Sequence, residues 1–236
     1  MPSLVEGDVH LWLADLDLPP EKAASISEFL SDDEIARANR LRSESSRQHF
    51  LVRRGILRLL SGKYLSISPE RVEFRVGLHG KPGLSDHHAN ARFKFNLSST
   101  GSVALFGFCM DKPVGVDIER VDEDFDYQGV VSSYFSEEEQ SKLQSLDPDQ
   151  RRLAFYTIWV RMEAYLKGLG TGFSHSAHMP GISMAADQHH NSSLPSMSPL
   201  KMSDWLIYDL KLPAGYVGAF AVLGQFKTLQ CWKNSA

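Results

Sequence analysis

The chain has 236 residues, of which 42% are hydrophobic and 23% charged, and its formal net charge is −4 at pH 7. This length is enough for one large domain or two small ones with a real core. The acidic balance argues against nucleic acid as a partner, because phosphate-binding surfaces normally bring a basic excess. Cys109 and Cys231 are too few for a disulfide framework, no secretory signal opens the chain, and no apolar run approaches the roughly 18 residues of a membrane helix. We therefore expect a cytoplasmic protein that binds neither nucleic acid nor membranes.

The chain repeats its own pattern of predicted elements at a spacing of about 105 residues. The matching pairs are alternating strands at 9–15 and 114–120, serine-led capping boxes at 31–34 and 136–139, long amphipathic helices at 46–64 and 149–168, and β-rich runs at 103–108 and 216–222. The capping boxes place a glutamate three residues after the serine, as helix N-termini favour. We predict two α+β subdomains, residues 1–112 and 113–236, related by a pseudo-twofold axis. Each would be a small, mainly antiparallel sheet packed on a long helix, with the ligand site in the cleft between them.

Two acidic motifs in the second half are GVDIE at residues 115–119 and WVRMEAYLK at residues 159–167. In the first motif, apolar and polar residues alternate, which predicts a strand with Asp117 and Glu119 on one face. Glu163 and Lys167 lie four residues apart and so share one face of the predicted helix. Three carboxylates assembled in this way suit a hard cation such as Mg²⁺, whose remaining positions go to water and substrate phosphates. The alternatives are a solvated strand face and an ordinary surface ion pair.

The first half holds a basic stretch made of Arg37, Arg40, Arg42, Arg47, Arg53, Arg54 and Arg58. Either it is a solvated helix face, or it is a site for an anionic ligand, since arginine suits bidentate phosphate contact. GKPG at 80–83 predicts a turn with an exposed lysine, and FNLSSTG at 95–101 predicts a polar turn that could cradle a phosphate. Residues 173–204 are typical of a long surface loop. Metal binding by its four histidines is an open alternative to a loop that collects histidines without using them.

These motifs in this order resemble the 4′-phosphopantetheinyl transferases of the surfactin-synthetase-activating (Sfp) type. That family shows Gly-Lys-Pro, then Phe-Asn-(Ile/Leu)-Ser-His-Ser-Gly, then Gly-(Ile/Val)-Asp-(Ile/Val)-Glu, then Phe-Ser-x-x-Glu, and finally Trp-x-x-Lys-Glu-(Ala/Ser)-x-x-Lys. The corresponding motifs in this chain stand at residues 80–82, 95–101, 115–119, 135–139 and 159–167. The similarity runs from about residue 31 to residue 172, and the duplicated layout agrees with the family's two pseudo-symmetric subdomains.

The resemblance implies that the chain moves the phosphopantetheine arm of coenzyme A onto a serine of an acyl or peptidyl carrier protein and leaves 3′,5′-ADP. It implies Mg²⁺ as the cofactor and Asp117, Glu119 and Glu163 as the magnesium ligands. Glu139 would help to deprotonate the serine, although its place in a capping box explains it equally well, and Lys167 would meet the phosphates. The residues expected on the coenzyme A side are Lys81, Ser98, Ser99, Arg53 and Arg54. The expected partners are carrier proteins or carrier domains of fatty-acid, polyketide or peptide synthases, and the expected state is a monomer.

Two departures from the family's pattern matter for the chemistry. The histidine of the Ser-His-Ser turn is Ser99 here, which replaces a potential cationic phosphate contact with a neutral hydroxyl. The lysine before the helix glutamate is Met162, which continues an apolar stripe, and Arg161 beside it lies about 100° around the helix. These departures favour a rival interpretation, a non-catalytic or degenerate module that binds coenzyme A or carrier proteins. A different metal-dependent phosphotransferase is a second rival, but no Walker-type loop or Rossmann fingerprint supports it.

Overall fold

A computed structural model gives the fold for residues 3–77, 80–88, 91–171 and 199–234. Within these residues the chain forms two four-stranded sheets, a two-stranded ribbon and six α-helices. One helix of 22 residues packs on each four-stranded sheet. The α+β fold class predicted from the sequence is confirmed. No helix in this described part of the chain is long and apolar enough to cross a membrane.

The first half contains three strands of one four-stranded sheet, the ribbon and three helices. Its elements are β1 (Asp8–Asp15), α1 (Pro20–Ser27), α2 (Asp32–Asn39), α3 (Glu44–Leu65), β2 (Phe74–Val76), β3 (Pro82–Leu84), β4 (Phe93–Thr100) and β5 (Val103–Met110). Strand β5 pairs antiparallel with both β1 and β4, and β2 pairs antiparallel with β3. The segment predicted as a polar turn at 95–101 is therefore mostly strand, because its apolar residues alternate and pack against α3.

The second half contains the other four-stranded sheet and three helices. Its elements are β6 (Val114–Arg120), α4 (Gln128–Tyr134), α5 (Glu137–Gln144), α6 (Pro148–Leu169), β7 (Leu200–Met202), β8 (Trp205–Asp209), β9 (Tyr216–Leu223) and β10 (Thr228–Asn234). Strands β6, β9, β8 and β7 lie in that order, and every pairing among them is antiparallel. The segment predicted as a loop at 173–204 includes strand β7 near its end. Its four histidines, at positions 175, 178, 189 and 190, lie outside the described residues.

Every element of the predicted internal repeat is present in the structure. Strands β1 and β6, helices α2 and α5, helices α3 and α6, and strands β5 and β9 occupy matching places in the two halves. Both short helices begin at a complete capping box, with Ser31 and Glu34 in the first half and Ser136 and Glu139 in the second. Helices α3 and α6 are both 22 residues long. The order of elements that the sequence repeat predicts is therefore present in both halves, and the duplication itself stays a prediction.

The last strand departs from the predicted division of the chain. Strand β10 does not join the second sheet but pairs parallel with β1, at the outer edge of the first sheet. Its Trp232 stacks on Trp12 with ring centroids 4.4 Å apart. Without β10, the edge of β1 on the side away from β5 would be free. The pairing gives hydrogen-bond partners to backbone N–H and C=O groups on that edge. The predicted boundary near residue 112 therefore does not separate the two sheets completely.

The two halves meet along the edge strands β4 and β6. The Asn96 Oδ1 atom accepts a hydrogen bond of 2.8 Å from the amide of Val116, and Thr100 Oγ1 accepts one of 3.3 Å from the amide of Arg120. Val116 and Ile118, on the opposite face of β6 from the predicted acidic residues, are fully buried in a core shared by both sheets. This seam fixes the polar face of β4 directly beside the acidic face of β6.

Glycine allows α6 to lie unusually close to β6. A Cβ atom at Gly115 would lie 1.9 Å from the carbonyl oxygen of Ala164 and 2.3 Å from the amide nitrogen of Gly168. No side chain fits into that space, so the first residue of the GVDIE motif is required for the close packing of helix and strand. The close approach brings the end of α6 over the acidic face of β6.

Candidate functional site

A polar cluster lies where β4, β6 and the end of α6 converge. The Asp117 side chain is only 1% exposed. Its Oδ1 atom accepts hydrogen bonds from Lys167 Nζ at 2.6 Å and from Ser98 Oγ at 2.7 Å. The lysine also donates to Ser98 Oγ at 2.9 Å. Three of the predicted site residues, each from a different element, thus contact one another between the two halves.

The three predicted carboxylates share one electrostatic environment. Burial raises the pKa of Asp117, although the Lys167 ammonium and the Ser98 hydroxyl act against the shift. Burial and the negative charge of Asp117 raise the pKa of Glu119. Burial raises the pKa of Glu163 to about 7, with further contributions from Asp117 and Glu119 that Lys167 opposes. The three carboxylates therefore lie close enough to repel one another, in a site that is partly shielded from water.

The donor chemistry of this cluster fits a hard cation. Asp117 Oδ2 is buried without a hydrogen-bond partner among the described residues. Carboxylate oxygens that repel one another and lack donors are stabilised by a divalent cation, since oxygen ligands suit Mg²⁺. In the described ranges, however, no three His, Cys, Asp or Glu side chains are grouped as a ready ligand set. The Lys167 ammonium instead offsets the charge of Asp117.

A cationic cavity of about 500 Å³ opens beside Lys167 on the side of the first half. Its charged lining consists of Arg37, Arg53, Arg54, Arg58, Arg75, Lys167, Asp33 and Glu34. Ser98 and Ser99 of β4 line it as well, next to the apolar surfaces of Phe50, Phe74 and Leu97. Six cationic groups against two carboxylates make the cavity suitable for a polyanion.

The arginines of the basic stretch divide into paired and unpaired groups. Arg58 is 4% exposed, and its Nε donates to Glu34 Oε2 at 2.6 Å. Arg54 makes an ion pair of 2.5 Å with Glu34 Oε1. Arg53 instead donates a hydrogen bond from Nη1 to Ser99 Oγ. The prediction that this stretch is either a solvated face or an anion site needs correction, because Arg54 and Arg58 also hold the buried Glu34 in place.

Lys81, predicted on the coenzyme A side, contacts the end of α6 in this structure. Its Nζ atom donates to the carbonyl oxygens of Lys167 and Gly168, the latter at 3.2 Å. Burial lowers the pKa of Lys81 to about 8. The predicted exposed lysine is therefore half-buried and caps the C-terminal end of α6, where the helix dipole favours a positive charge. In this structure it supports Lys167 and is not part of the cavity lining.

Glu139 is 6% exposed and serves as the glutamate of the second capping box. Its Oε2 atom accepts hydrogen bonds of 2.8 Å from both the amide and the hydroxyl of Ser136. Its Oε1 atom is buried and has no hydrogen-bond partner in the described part of the chain. The capping role predicted from the sequence is confirmed, while a role as a base stays a prediction.

The side chains of Met162 and Arg161 both lie away from the acidic cluster. Met162 is 2% exposed and packs in the core of the second half. Arg161 makes an ion pair of 2.5 Å with Asp209 of β8. The apolar stripe predicted along α6 is buried at Phe155, Met162 and Leu166, but Leu169 is 42% exposed. Arg161 therefore does not replace the lysine that the resembling family carries next to the helix glutamate.

A second groove adjoins the acidic cluster on the side of the second half. It has a volume of about 540 Å³ and is lined by Thr100, Gly101, Glu119, Arg120, Asp122, Phe125, Val130, Phe155, Tyr156 and Trp159. Phe125 is 43% exposed at its rim. The sequence analysis missed this groove, although an exposed aromatic residue in the acidic segment 122–126 was a usable signal. Glu119 is thus accessible from the groove, and Lys167 from the cationic cavity.

Comparison with known proteins identifies the family of this chain. Residues 113–221 match the model of the 4′-phosphopantetheinyl transferase superfamily. The 4′-phosphopantetheinyl transferase HetI of Nostoc sp. strain PCC 7120 is 33% identical over 225 residues, which cover 94% of this chain and 90% of HetI. The 4′-phosphopantetheinyl transferase ffp of Bacillus subtilis is 27% identical over 184 residues, 75% of this chain and 80% of that protein. The L-aminoadipate-semialdehyde dehydrogenase-phosphopantetheinyl transferase of Xenopus laevis is 28% identical over 165 residues, 65% of this chain and 49% of that protein.

Proposed function

The chain belongs to the 4′-phosphopantetheinyl transferase superfamily, and from this premise we propose that it transfers the phosphopantetheine arm of coenzyme A to a serine of an apo carrier protein. The observation that carries the proposal is the Asp117–Lys167–Ser98 cluster, which lies between a cationic cavity and a groove that reaches Glu119. A nucleotide in the cavity and a carrier serine at the groove would approach the cluster from opposite sides. The serine oxygen would bond to the phosphorus that carries the pantetheine, and 3′,5′-ADP would leave.

The chain's own residues would position the phosphates and neutralise their charge. Lys167 bridges Asp117 and Ser98, and Lys81 supports the helix end that carries it, so its ammonium is preorganised for a phosphate oxygen. Mg²⁺ held by Asp117, Glu119 and Glu163 would offset the charge that builds up on the leaving nucleotide. Glu139, with one buried carboxylate oxygen free of hydrogen bonds among the described residues, is the proposed acceptor of the serine proton.

The proposal extends to the subfamily, the partners and the state of the protein. Both halves of the pseudo-symmetric fold occur in one chain, which supports a monomer of the Sfp type. The boundary near residue 112 separates a coenzyme A side from a side that carries the carboxylates. The partners would be carrier proteins or carrier domains of fatty-acid, polyketide or peptide synthases, met in the cytoplasm. The cavity residues Ser98, Ser99, Arg53 and Arg54 would hold the coenzyme A.

A degenerate binding module is the alternative function. The burial of Met162 in the core favours it, because the position offers no cation to the site. Three carboxylates with raised pKa values favour the enzyme, since a module that only bound coenzyme A would lose nothing by replacing them.

Mass spectrometry of an apo carrier protein incubated with this protein, coenzyme A and Mg²⁺ tests the proposal. We expect the carrier to gain the mass of one phosphopantetheine, and we expect the gain to disappear when EDTA removes the metal. Replacement of the carrier's acceptor serine with alanine should also abolish it. A panel of fatty-acid, polyketide and peptide carriers would identify the partner class, and an unmodified panel together with measurable coenzyme A binding would support the degenerate module.

A further inference from the structure

Three arginines of the cationic cavity form ion pairs with carboxylates, namely Arg54, Arg58 and Arg75. Arg53 instead contacts the hydroxyl of Ser99 and the ring of Phe50. We propose that Arg53, held by Ser99, supplies the permanent positive charge that binds a phosphate of coenzyme A in this chain. The inference rests on the proposed function, because it assumes that coenzyme A occupies the cavity. It assigns the main anion contact of the cavity wall to a residue of α3 and not to a residue of β4.

The geometry leaves Arg53 with donors to spare. Its Nη1 donates to Ser99 Oγ across the cavity wall, and both residues line the cavity. Its Nε is buried without a hydrogen-bond partner among the described residues. A guanidinium has five N–H donors in a planar fork that matches a phosphate. The hydroxyl of Ser99 fixes the direction of that fork without neutralising it.

The charge of Arg53 is unfavourable within the protein alone. Arg54 and Arg58 share the carboxylate of Glu34, but no ion pair joins Arg53 to a carboxylate in the described residues. Burial lowers the pKa of Arg53, and the positive charges of Arg54 and Arg37 lower it further. A half-buried cation next to two others costs stability unless an anion offsets it. A bound phosphate would be that anion.

The position of Ser99 connects this arrangement to the sequence. The resembling family has a histidine at this place, and a histidine of ordinary pKa, about 6.5, is mostly neutral above pH 7. Arginine stays charged at every physiological pH. The Arg53–Ser99 pair would therefore keep its positive charge over the pH range in which a histidine contact would lose it.

Titration calorimetry with coenzyme A, without carrier protein, separates this inference from the proposed function. We expect Arg53→Ala to weaken binding by about 10-fold to 100-fold, as the loss of one charge-assisted hydrogen bond does. Lys63→Ala is the matched control, because Lys63 lies on the same helix, is exposed and is not part of the cavity lining. It should leave the Kd within about twofold, the size of a screened, distant charge. If the wild-type protein bound no coenzyme A, the proposed function would fail; if it bound coenzyme A and Arg53→Ala bound equally well, only this inference would fail.

Thermal unfolding of the same variants tests whether Arg53 is merely structural. We expect Arg53→Ala without ligand to have an unchanged or higher Tm, because it removes a half-buried charge that Arg37 and Arg54 repel. A lower Tm with an unchanged Kd would assign Arg53 to structure and overturn the inference.

An exchange of residues provides the sharpest test. In the Arg53→Ala/Ser99→His double variant, the new imidazole would face Arg37, Arg54, Lys167 and the carboxylate of Glu34. At each pH we compare the coenzyme A affinity of the double variant with that of the wild type, which cancels the titration of the ligand's own phosphate monoester at about pH 6. We expect the relative affinity to recover at pH 5.5, where the imidazole is protonated, and to fall again at pH 8. Recovery that did not depend on pH, or no recovery at either pH, would contradict the claim that a positive charge at this point is what binds the phosphate.

Discussion

The two halves of the molecule have the same order of elements. They differ in the residues that lie between the first strand and the long helix of each half. In the first half, Tyr64 of α3 stands between the helix and β1, where it contacts His10 Nδ1 at 2.8 Å and accepts a hydrogen bond of 3.0 Å from Trp12 Nε1. At the matching place in the second half, Gly115 and Gly168 bring backbone against backbone. The first half thus buries aromatic rings between its helix and strand. In the second half the helix backbone packs directly on the strand, and charged groups lie beside this contact.

The capping boxes show the same divergence. Glu34 caps α2 and is paired with Arg54 and Arg58 of the long helix. When α3 and α6 are aligned end to end, Arg58 corresponds to Met162. The second capping glutamate, Glu139, has one buried oxygen without a hydrogen-bond partner in the described residues. The first half therefore holds its capping glutamate in a buried ion network, whereas the second half leaves one oxygen of its capping glutamate without a hydrogen bond among the described residues.

The largest effect should follow from removing the carboxylates that only the second half has on its strand. Asp117→Asn, Glu119→Gln and Glu163→Gln should each lower the transfer rate by about 10²-fold to 10³-fold or more, as the loss of an electrostatic group at a reacting centre does. Circular dichroism should show an intact fold, because repelling carboxylates contribute little to stability. Glu123→Gln, at an exposed position nearby, is the control. If all three site variants transferred at the wild-type rate, the site would be wrongly assigned.

The glycine contact gives the next largest effect. Gly115→Ala should destabilise the fold by about 3 kcal/mol, the upper part of the range for overpacking, because the new methyl group meets backbone atoms of α6 that cannot rotate away. Urea unfolding measures this change. Gly129→Ala in α4 is the control, since a Cβ there would meet nothing within 4 Å. Equal stabilities of the two variants would mean that the helix can move outward without cost, contrary to the comparison of the halves.

The comparison also predicts what a lysine at Met162 would do. If Glu139 is the second-half counterpart of Glu34, then Met162→Lys should place an ammonium near the Oε1 atom of Glu139. The fold should then tolerate the substitution. In a Glu139→Gln background the same lysine should cost about 3 kcal/mol more, because a buried charge without a partner is strongly destabilising. Met162→Leu controls for the lost methionine.

The transfer rate of Met162→Lys separates two roles for the new charge. A faster reaction, by up to roughly a hundredfold, would mean that the ammonium reaches the phosphates and supplies an electrostatic contact of about 2–3 kcal/mol. An unchanged rate with a stability that depends on Glu139 would restrict its role to the capping glutamate. A variant whose stability is low and independent of Glu139 would contradict the correspondence between Arg58 and Met162.

A smaller effect concerns pH. Burial raises the pKa of Glu163 from its usual 4.5 to about 7. Between these values the folded protein keeps a proton that the unfolded chain has lost, so the free energy of unfolding should fall as pH rises through this window. Glu163→Gln removes the ionisation and should flatten the decline. Urea unfolding at pH 5, 6 and 7 measures both slopes, and parallel slopes would show that the Glu163 carboxyl has an ordinary pKa.

Much of the fold could be predicted because its signals are local. Period-2 alternation located β6, and serine–glutamate spacing located the starts of α2 and α5. The predicted assignment of residues to the two faces of β6 is also confirmed, since Val116 and Ile118 are buried opposite the acidic residues. The order of the motifs along the chain was enough to indicate the family.

What could not be predicted depends on contacts between distant parts of the chain. The partner of Lys81 lies 86 residues away at the end of α6, and a lysine in a turn gives no sign of it. Arg54 and Arg58 looked like a solvated face because their counter-ion, Glu34, lies on another helix. The pairing of β10 with β1 is set by which sheet edge is free after the rest has packed, and alternation within a strand carries no such information.

That last pairing determines when the protein can be completed during synthesis. Strand β1 lies within the first 15 residues, and its parallel neighbour ends at Asn234. During synthesis the N-terminal sheet keeps an open edge until residues 228–234 have emerged from the ribosome. A fusion partner attached directly after Asn234 would therefore adjoin the strand that closes this sheet last, whereas one attached before Asp8 would meet a strand whose inner pairing with β5 is available much earlier.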